Sequence, residues 1–405
     1  MPEPSSKPHI LLIGDGGVPT GFARVLLSIF EQLTPKYRLS HLATGYQGDP
    51  HPYPWDLYPA HLGGDSYGIG RLPSLIEVLC PDLVIALHDL WIQREYMKVL
   101  RPYADRLKVI LYCPVDSSPI IPDFAAELLG ADAVAVFNSF SQQQLIEAVQ
   151  GLVPQTPSVS IPPIKVMPLG VNTDLFYPLS PGSLTRQDRT ESRKILFKDM
   201  PGSDAWFIVL NANRNQPRKR IDLTVAGFAQ FARDKPDNVR LLLHMSLQDS
   251  GWHVHQIAKR YGIEDRLLLS GEWDQLPSLS SEQLNLIYNA CDVGINTSVG
   301  ESWGLTSFEH AATGAAQIVP DHTAPGILWQ DAAEKMVPSV TLTNVGMWDE
   351  YYVMPETVAA ALEKVYGDHD HRVSLAHKGY QLATSAMYQW RTIATEWDVF
   401  IQAIL

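Results

Sequence analysis

Cysteines and long apolar runs are scarce in this sequence of 405 residues. Its three cysteines, Cys80, Cys113 and Cys291, are too few and too widely separated for a disulfide framework or a cysteine-based zinc site. No apolar stretch reaches the roughly 18–20 residues that a membrane-spanning helix needs, although peripheral contact with a membrane stays compatible with the sequence. The N-terminal stretch MPEPSSKPHI has no apolar signal core, which favours a cytoplasmic protein.

Cations are also in deficit. The chain has 31 Lys and Arg against 44 Asp and Glu, a formal net charge of -13, so we expect no nucleic-acid partner. A hydrophobic content of 45% with 19% charged residues is typical of a packed globular protein and excludes a disordered chain. At roughly 100–200 residues per domain, the length predicts two or three domains.

Short apolar runs alternate with helical patterns along almost the whole chain. HILLIG at 9–14 and WFIVLNA at 206–212 are typical of buried strands, and each is followed by an amphipathic stretch. This alternation indicates two successive α/β halves, each with a parallel sheet. The region from about 178 to 204 is polar and predicts a link that carries a short solvated helix.

The first chemical motif is a glycine-rich loop at 14–21, GDGGVPTG, between a predicted strand and a predicted helix. Backbone N–H groups in such a loop can face an anionic ligand. Pro19 replaces the third glycine of a dinucleotide fingerprint, and no carboxylate ends the next predicted strand, which argues against an NAD site. A tight structural turn and a phosphate- or sugar-facing loop remain open.

The second motif is a cluster of cations, NRNQPRKR at 213–220, directly after the first strand of the second half. Arg offers a planar fork to phosphate oxygens, and Lys offers a mobile point charge. Arg214 and Lys219 could therefore grip a diphosphate. A solvated turn and a nucleic-acid patch are the alternatives.

The third motif contains two carboxylates, Glu301 and Glu309, around a predicted helix start. If the helix begins near Leu305, the free N–H groups from Gly304 to Thr306 form an anion site. Carboxylates accept hydrogen bonds from sugar and ribose hydroxyls, so this arrangement favours a hydroxyl-rich anionic ligand.

The same stretch matches the nucleophile elbow of α/β serine hydrolases, with Ser302 as the nucleophile in Gly300–Gly304. The predicted strand ends near Ile295, however, so a loop stands where an elbow needs a sharp turn. The acid and base of such a hydrolase would have to come from residues with no distinguishing context: Asp331, His369, His371 and His377.

Two other polar features carry weaker signals. Asp368-His369-Asp370-His371 could hold a metal, but its place between two predicted helices favours a helix cap. His88 stands at the end of a predicted strand in the first half, where ligands of parallel sheets bind. It is therefore a candidate functional histidine.

The second half resembles that of the GT-B glycosyltransferases of family 4, a retaining and metal-independent group. The pair Glu301 and Glu309 is similar to the family's E-x7-E motif. Arg214 and Lys219 lie where the family has the Arg and Lys that grip phosphate.

The resemblance extends over nearly the whole chain. Gly16 and Gly17 are similar to the family's N-terminal glycine pair, and 167–178 is similar to the segment that leads from the first domain to the second. Trp390 resembles the aromatic residue of a C-terminal helix that crosses back onto the first domain.

The resemblance implies a GT-B fold, with two Rossmann-like domains that face each other across a cleft. The implied domains are 1–178 for the acceptor and 205–385 for the nucleotide sugar, with a link at 179–204 and the crossover helix at 386–405.

It also implies how the donor is bound. Arg214 and Lys219 bind the diphosphate, helped by the backbone amides of Leu305 and Thr306 beside Gly304.

The resemblance also implies roles for the two glutamates and the two N-terminal glycines. Glu309 binds the ribose hydroxyls, Glu301 binds the donor sugar ring and acts in catalysis, and Gly16 and Gly17 lie near the phosphates. No cofactor or metal is implied, because a nucleoside-diphosphate sugar is the co-substrate.

The sequence departs from the family pattern at two places. The family often has a His after the strand that reads LYCPVD at 111–116 here, so Asp116 or His88 is expected to take its catalytic role. Arg220 follows Lys219 where glycine is common.

The expected activity is transfer of a sugar from a UDP- or GDP-sugar to an acceptor hydroxyl, with retention of configuration. The acceptor classes left open are glycans, lipid-linked sugars, proteins and small molecules. A serine hydrolase and a sugar-nucleotide epimerase of the same fold are the alternatives.

Overall fold

The computed structural model describes residues 7–61, 63–152, 161–180, 184, 188–270 and 279–405. Its contacts divide the chain into two compact units. The first comprises the chain up to Gly170 together with Trp390–Leu405, and the second is Val171–Gln389. The boundary thus falls at Gly170, and the segment at 171–178, expected in the first domain, belongs to the second unit.

The first unit is built on a parallel sheet of seven strands. They are β1 (His9–Asp15), β2 (Arg38–Thr44), β3 (Asp56–Pro59), β4 (Leu83–Leu87), β5 (Lys108–Cys113), β6 (Ala133–Val136) and β7 (Ile164–Val166). The strand order is β3-β2-β1-β4-β5-β6-β7. It reverses direction between β1 and β4, the place where open parallel sheets bind ligands.

Helices accompany this sheet: α1 (Gly21–Phe30), α2 (Leu72–Leu79), α3 (Leu90–Leu100), α4 (Pro122–Ala126) and α5 (Ser139–Gln150). Ile10, Leu11, Leu12 and Ile13 of β1 are all fully buried, so the apolar run that predicted a central strand is covered on both faces.

The C-terminal helix, Trp390–Ile404, belongs to the first unit, as the expected crossover requires. It packs on α1, with the rings of Phe30 and Trp397 5.7 Å apart. Its Asp398 accepts a hydrogen bond of 2.8 Å from the Tyr37 hydroxyl. The helix therefore closes the first unit although it is the last element of the chain.

The second unit contains a parallel sheet of six strands. They are β8 (Phe207–Asn211), β9 (Val239–Leu243), β10 (Leu267–Leu269), β11 (Val293–Ile295), β12 (Ala316–Pro320) and β13 (Glu334–Met336). The order is β10-β9-β8-β11-β12-β13, so this sheet reverses direction between β8 and β11. An antiparallel hairpin, β14 (Val340–Thr343) and β15 (Asp349–Tyr352), follows it.

Helices also accompany the second sheet. They are α6 (Thr190–Leu196), α7 (Ile221–Ala232), α8 (Val254–Tyr261), α9 (Ser281–Ala290), α10 (Leu305–Ala312), α11 (Thr323–Leu328), α12 (Pro355–Gly367) and α13 (His369–Ala383). Ser280 and Gln283 form a reciprocal capping box at α9. Asp368 caps α13 by accepting from the His371 N–H at 2.9 Å, which agrees with the capping interpretation of that motif.

In the described ranges, no helix is both long and apolar enough to cross a membrane.

The polar segment at 179–204 differs from the expected solvated link. It contains α6, and Arg189 and Arg193 beside and within that helix are buried in the second unit. Arg193 pairs with Asp292, and Arg189 donates to the Thr313 carbonyl at 3.0 Å. Composition could not reveal this, because the partners lie about 100 residues away in sequence.

Candidate functional site

The cations predicted to grip phosphate lie at the carboxyl edge of the second sheet, directly after β8. Arg214 is half exposed, and its Nε lies 3.0 Å from Asp249 Oδ2. Lys219 ends a short 3-10 turn at 217–219 and is buried. One cation of the pair is therefore held inside the protein and the other reaches solvent.

Lys219 and Glu301 form a buried ion pair, with Lys219 Nζ bonded to Glu301 Oε2. Burial by itself would raise the pKa of Glu301, but the charges of Lys219 and Arg218 and hydrogen bonds from Lys219 and Asn296 outweigh it and lower that pKa to about 2. Glu301 is thus ionised at neutral pH. The sequence placed both residues at the donor site, and the fold brings them into contact.

Backbone contacts hold the two loops of this pair together. The Val299 N–H donates to the Arg218 carbonyl at 2.9 Å, and Arg218 Nη1 donates to the Gly300 carbonyl at 3.1 Å. The Thr297 hydroxyl donates to the Lys219 carbonyl at 3.0 Å. The loops follow β8 and β11, the strands on either side of the reversal point of the sheet.

Helix α10 begins next to Glu301, as predicted. Gly304 precedes it with a φ of +88°, a left-handed conformation that suits glycine. A Cβ on Gly304 would lie 3.8 Å from Glu301 Cγ, so the carboxylate and the helix start are adjacent. Leu305 and Thr306 form the first turn, whose N–H groups have no acceptor within the helix and favour an anion.

Glu309 lies in the second turn of α10 and is buried. The Tyr288 hydroxyl, on α9, donates to Glu309 Oε2 at 3.1 Å. The Tyr288 ring is tilted against Phe176, with 5.6 Å between centroids, which holds it in place. Tyr288 therefore orients the carboxylate for which the family resemblance implies ribose binding.

Arg220 occupies the position where the family commonly has glycine. The backbone conformation there suits glycine, and the contacts of the Arg220 side chain show how an arginine is accommodated. Its φ is +48°, the left-handed region that glycine adopts without strain. The guanidinium pairs with Asp222 and lies over the rings of Trp252 and Tyr352, at 5.3 and 4.8 Å from their centroids. These contacts offset the backbone strain.

The glycine-rich loop of the first unit is shaped by close packing. A Cβ on Gly16 would lie 2.7 Å from His41 Cε1, and a Cβ on Gly17 would lie 2.7 Å from Tyr46 Cδ2. Both distances are shorter than real side chains allow, so these positions require glycine for packing. The tight-turn interpretation is thereby supported for the loop, and ligand binding by Gly16 and Gly17 stays a prediction.

His88 follows β4 and is buried, with 7% of its surface exposed. The Asp89 N–H donates to His88 Nδ1 at 3.0 Å, so Nδ1 is an acceptor and the neutral ring carries its proton on Nε2. Burial lowers the pKa of His88, although the charge of Asp15 opposes this. Nε2 is buried without a hydrogen-bond partner. The Nε2–H group of His88 is therefore a candidate hydrogen-bond donor to a ligand.

Asp116 lies after β5 and is partly exposed, in the loop where the family often has a histidine. Cys113, at the end of that strand, is buried and its thiol donates to Gln93 Oε1 at 2.8 Å. This strand end therefore packs into the core of the first unit.

Four histidines, of which His41, His310 and His322 are buried and His244 is partly buried, are expected to make the protein acid-labile. Burial lowers the pKa of His41, His244 and His322 to about 4 and that of His310 to about 3, all below the ordinary 6.5. The unfolded chain takes up protons first as the pH falls, so the stability these groups contribute is complete above pH 6.5 and is lost toward pH 4. We expect the free energy of unfolding, measured in urea, to fall steeply over that interval.

A single substitution tests the cause. His41→Asn should lower the slope of stability against pH by about one proton, roughly 1.4 kcal/mol per pH unit. His377→Gln, at an exposed position on α13, should leave the slope as in the parent protein. A flat curve between pH 6.5 and 4.5 would contradict the assignment.

Comparison of the sequence with known proteins finds partial matches. No protein-family model matches the chain. The D-inositol 3-phosphate glycosyltransferase of Segniliparus rotundus is 32% identical over 154 residues, 37% of this chain and 30% of that protein. The mannosylfructose-phosphate synthase of Agrobacterium fabrum is 28% identical over 166 residues, 39% of this chain and 33% of that protein. The matches span about a third of the length of these curated relatives.

Solved structures match over almost the whole chain. The Anabaena protein HepE in complex with UDP and glucose covers 98% of this chain and 100% of its own, at 17% identity and a TM-score of 0.71. The sucrose-phosphate synthase of Thermosynechococcus elongatus covers 98% of both chains, at 16% identity and a TM-score of 0.72. The chain has the GT-B fold. The resemblance found in the sequence is confirmed at this level.

Within the GT-B fold the serine hydrolase alternative is not favoured. Ser302 lies in the loop between β11, which ends at Ile295, and α10, so no sharp elbow presents it. Asp331 Oδ2 pairs with Lys378 at 2.7 Å, and His371 Nε2 pairs with Glu334 at 2.7 Å. The acid and one of the bases proposed for that chemistry have other partners.

The structure adds three polar residues that the sequence prediction did not include among the site residues. Arg218 was visible in the cation cluster, and its charge acts on Glu301. Asp15 was visible in the glycine-rich loop, and its carboxylate accepts from Thr20 and Thr44 at the reversal point of the first sheet. Tyr288 gave no sequence signal, because only the fold brings α9 to Glu309.

Proposed function

We propose that this protein is a glycosyltransferase that moves a sugar from a nucleoside-diphosphate sugar to an acceptor hydroxyl. The observation that carries the proposal is the buried Lys219–Glu301 pair beside the start of α10, at the reversal point of the second sheet. A compact dianion with hydroxyl groups matches this arrangement, because it meets cations, helix N–H groups and carboxylates together.

The donor is assigned by charge and by shape. Arg214 and Lys219 would bind the diphosphate, with the first-turn N–H groups of Leu305 and Thr306. Glu309, oriented by Tyr288, would accept hydrogen bonds from the ribose. The Anabaena structure that shares this fold holds UDP, which supports a UDP-sugar, with a GDP-sugar as the other candidate.

The reaction needs stabilisation of the charge on the departing diphosphate. Fixed cations and helix N–H groups supply it without reorganisation, so we propose a reaction without a metal. The resemblance to family 4 supports retention of configuration. In that scheme the acceptor oxygen bonds to the anomeric carbon on the face from which the diphosphate leaves, and a phosphate oxygen takes the acceptor proton.

The first unit would bind the acceptor. His88 has a proton on Nε2 and no partner for it, so it can donate to an acceptor or sugar oxygen. Asp116, in the loop that follows β5, is the second candidate. Glu301, in the second unit, is the third residue for which we propose a catalytic role.

A donor panel tests the proposal. The protein is incubated with UDP-, GDP- and ADP-sugars, and release of the nucleoside diphosphate is followed with and without EDTA. We expect one UDP- or GDP-sugar to be turned over, with activity kept in EDTA. Complete loss in EDTA would contradict metal independence, and the absence of binding or turnover of every donor would contradict the function. An epimerase would convert its donor with no acceptor and release no diphosphate.

A further inference from the structure

The loops at the carboxyl edge of the first sheet differ sharply in charge from those of the second. Their sequences, at 16–20, 45–55, 60–70, 88–89 and 114–121, contain neither Lys nor Arg. Their acidic residues, together with the one that ends β1, are Asp15, Asp49, Asp65, Asp89 and Asp116. The second sheet instead presents four cations in 214–220 at the same edge.

The other cations of the first unit lie outside these loops. Two of them, Arg24 on α1 and Arg94 on α3, are about one turn inside the helices that begin at this edge. Lys7, Arg38 and Lys108 stand at the starts of β1, β2 and β5, which is the opposite edge of the sheet. Arg71 follows the loop at 60–70, but its guanidinium donates to the Pro59 carbonyl and lies 5.9 Å from the centroid of the Tyr58 ring. Its charge is held at the outer strand β3.

A row of aromatic rings leads from the buried end of β4 to the surface. The ring centroids are 6.3 Å apart for Phe22 and His88, 5.1 Å for His88 and Tyr67, and 5.3 Å for Tyr67 and Trp91. Exposure rises along this row from 7% at His88 to 48% at Trp91. Trp91 is therefore the solvent-facing end of the row. Trp55, an aromatic of the same unit outside the row, is buried.

Carboxylates flank the aromatic row. Burial, and then the charges of Asp89 and Asp15, raise the pKa of Tyr67, so both carboxylates act on the middle of the row. The Asp15 oxygens each accept one hydroxyl hydrogen bond, from Thr20 and Thr44. An ionised carboxylate has about four acceptor positions, so Asp15 can accept further hydroxyls.

An independent observation indicates that this region takes a ligand. His88 Nε2 carries a proton, is buried and has no hydrogen-bond partner. An unsatisfied buried donor destabilises the protein, and a ligand oxygen that accepts from it would relieve this cost. The region therefore combines one donor, several acceptors and an exposed aromatic face.

We propose that the acceptor is an uncharged, hydroxyl-rich carbohydrate that binds along the row Phe22, His88, Tyr67 and Trp91, and that phosphorylated acceptors are rejected. Hydroxyls pair with Asp15 and with His88 Nε2, and a sugar ring lies against Trp91. A phosphate on the acceptor meets five carboxylates in and beside these loops against two nearby arginines, Arg24 and Arg94, so the balance of charge repels it. This inference rests on the proposed function and names its acceptor class.

Matched acceptor pairs test the inference. With the donor found in the panel, transfer is measured to glucose and glucose 6-phosphate, fructose and fructose 6-phosphate, inositol and inositol 3-phosphate, and neutral oligosaccharides of two to six units. We expect transfer to a neutral member, with kcat/KM at least about tenfold above its phosphorylated partner, the ratio that 1.4 kcal/mol gives. Transfer to phosphorylated members alone, or hydrolysis of the donor with no transfer to any neutral member, overturns the inference. If no donor is bound or turned over, the proposed function itself fails.

Substitutions locate the site. Trp91→Ala should raise the KM for the neutral acceptor about tenfold, more than it changes the KM for the donor, and Trp91→Phe should restore most of the loss. Asp15→Asn should raise the ratio of phosphorylated to neutral acceptor use severalfold, a change that a merely structural role would not produce. Tyr261→Ala, at an exposed aromatic on α8, is the matched control. An unchanged acceptor KM in Trp91→Ala contradicts the assignment.

Discussion

Lys219→Ala is expected to abolish most donor binding and to lower the stability of the protein together. Lys219 and Glu301 are both buried, so the substitution leaves a buried carboxylate without its main cation. Breaking such a pair by removing one partner costs about 3–5 kcal/mol. Urea unfolding measures the stability loss, and calorimetry with UDP-glucose or the donor found in the panel measures the affinity.

A double variant separates the two effects. Lys219→Met with Glu301→Gln removes both charges and should recover much of the stability, because no unpaired charge remains. It should still fail to bind the donor, because the phosphate-binding cation is absent. Donor affinity that survives in Lys219→Ala would contradict the diphosphate assignment, and Arg260→Ala, at an exposed cation on α8, is the control.

The same pair has a predictable pH dependence. The pKa of Glu301 in the folded protein, about 2, lies below the ordinary 4.5, so the pair stabilises the protein fully above pH 4.5. Its contribution is lost as the pH falls from 4.5 toward 2. The histidine loss begins at pH 6.5 and this one at pH 4.5, so on acidification the histidine loss starts first and the two overlap near pH 4.

Asp292→Asn is the second substitution with a large expected effect. Asp292 pairs with Arg193 and accepts from the Ile208 N–H at 2.7 Å, next to the buried Arg189. Burial already lowers the pKa of Arg189 to about 10, although the charge of Asp292 opposes this. Removing the buried negative charge of Asp292 leaves Arg189 and Arg193 buried without it, and we expect a loss of about 3–5 kcal/mol, measured in urea.

An exposed ion pair gives the matched control. Asp331→Asn removes a partner of Lys378 at a side chain that is 79% exposed, and we expect a much smaller loss because solvent screens exposed pairs. Equal losses in the two variants would contradict the view that Asp292 balances a buried cluster.

Much of the proposed donor site could be predicted from short-range patterns. Arg214 and Lys219 lie in one loop and Glu301 and Glu309 around one helix start, so spacing alone placed each pair at a strand end. Their contact could not be predicted in detail, because Lys219 and Glu301 are joined only when β8 and β11 become neighbours. Tyr288 was missed for the same reason.

Predictions from polarity alone were wrong where tertiary packing buries charged residues. The stretch at 179–204 is polar, so it was expected to be a solvated link, yet Arg189 and Arg193 are buried against Asp292. Aromatics of the first unit were equally ambiguous, since Trp55 and Trp91 look alike in sequence. Packing buries Trp55, whereas about half of the surface of Trp91 stays exposed.

The sequence by itself determined the alternation of strands and helices, the two successive sheets, and the scarcity of cysteines and cations. Those properties follow from local periodicity and composition, which need no knowledge of distant contacts. The tertiary structure alone decided which charges are paired, which histidine carries an unpartnered proton and which aromatic faces solvent. These depend on strand order, because the order of strands brings residues far apart in sequence within hydrogen-bonding distance.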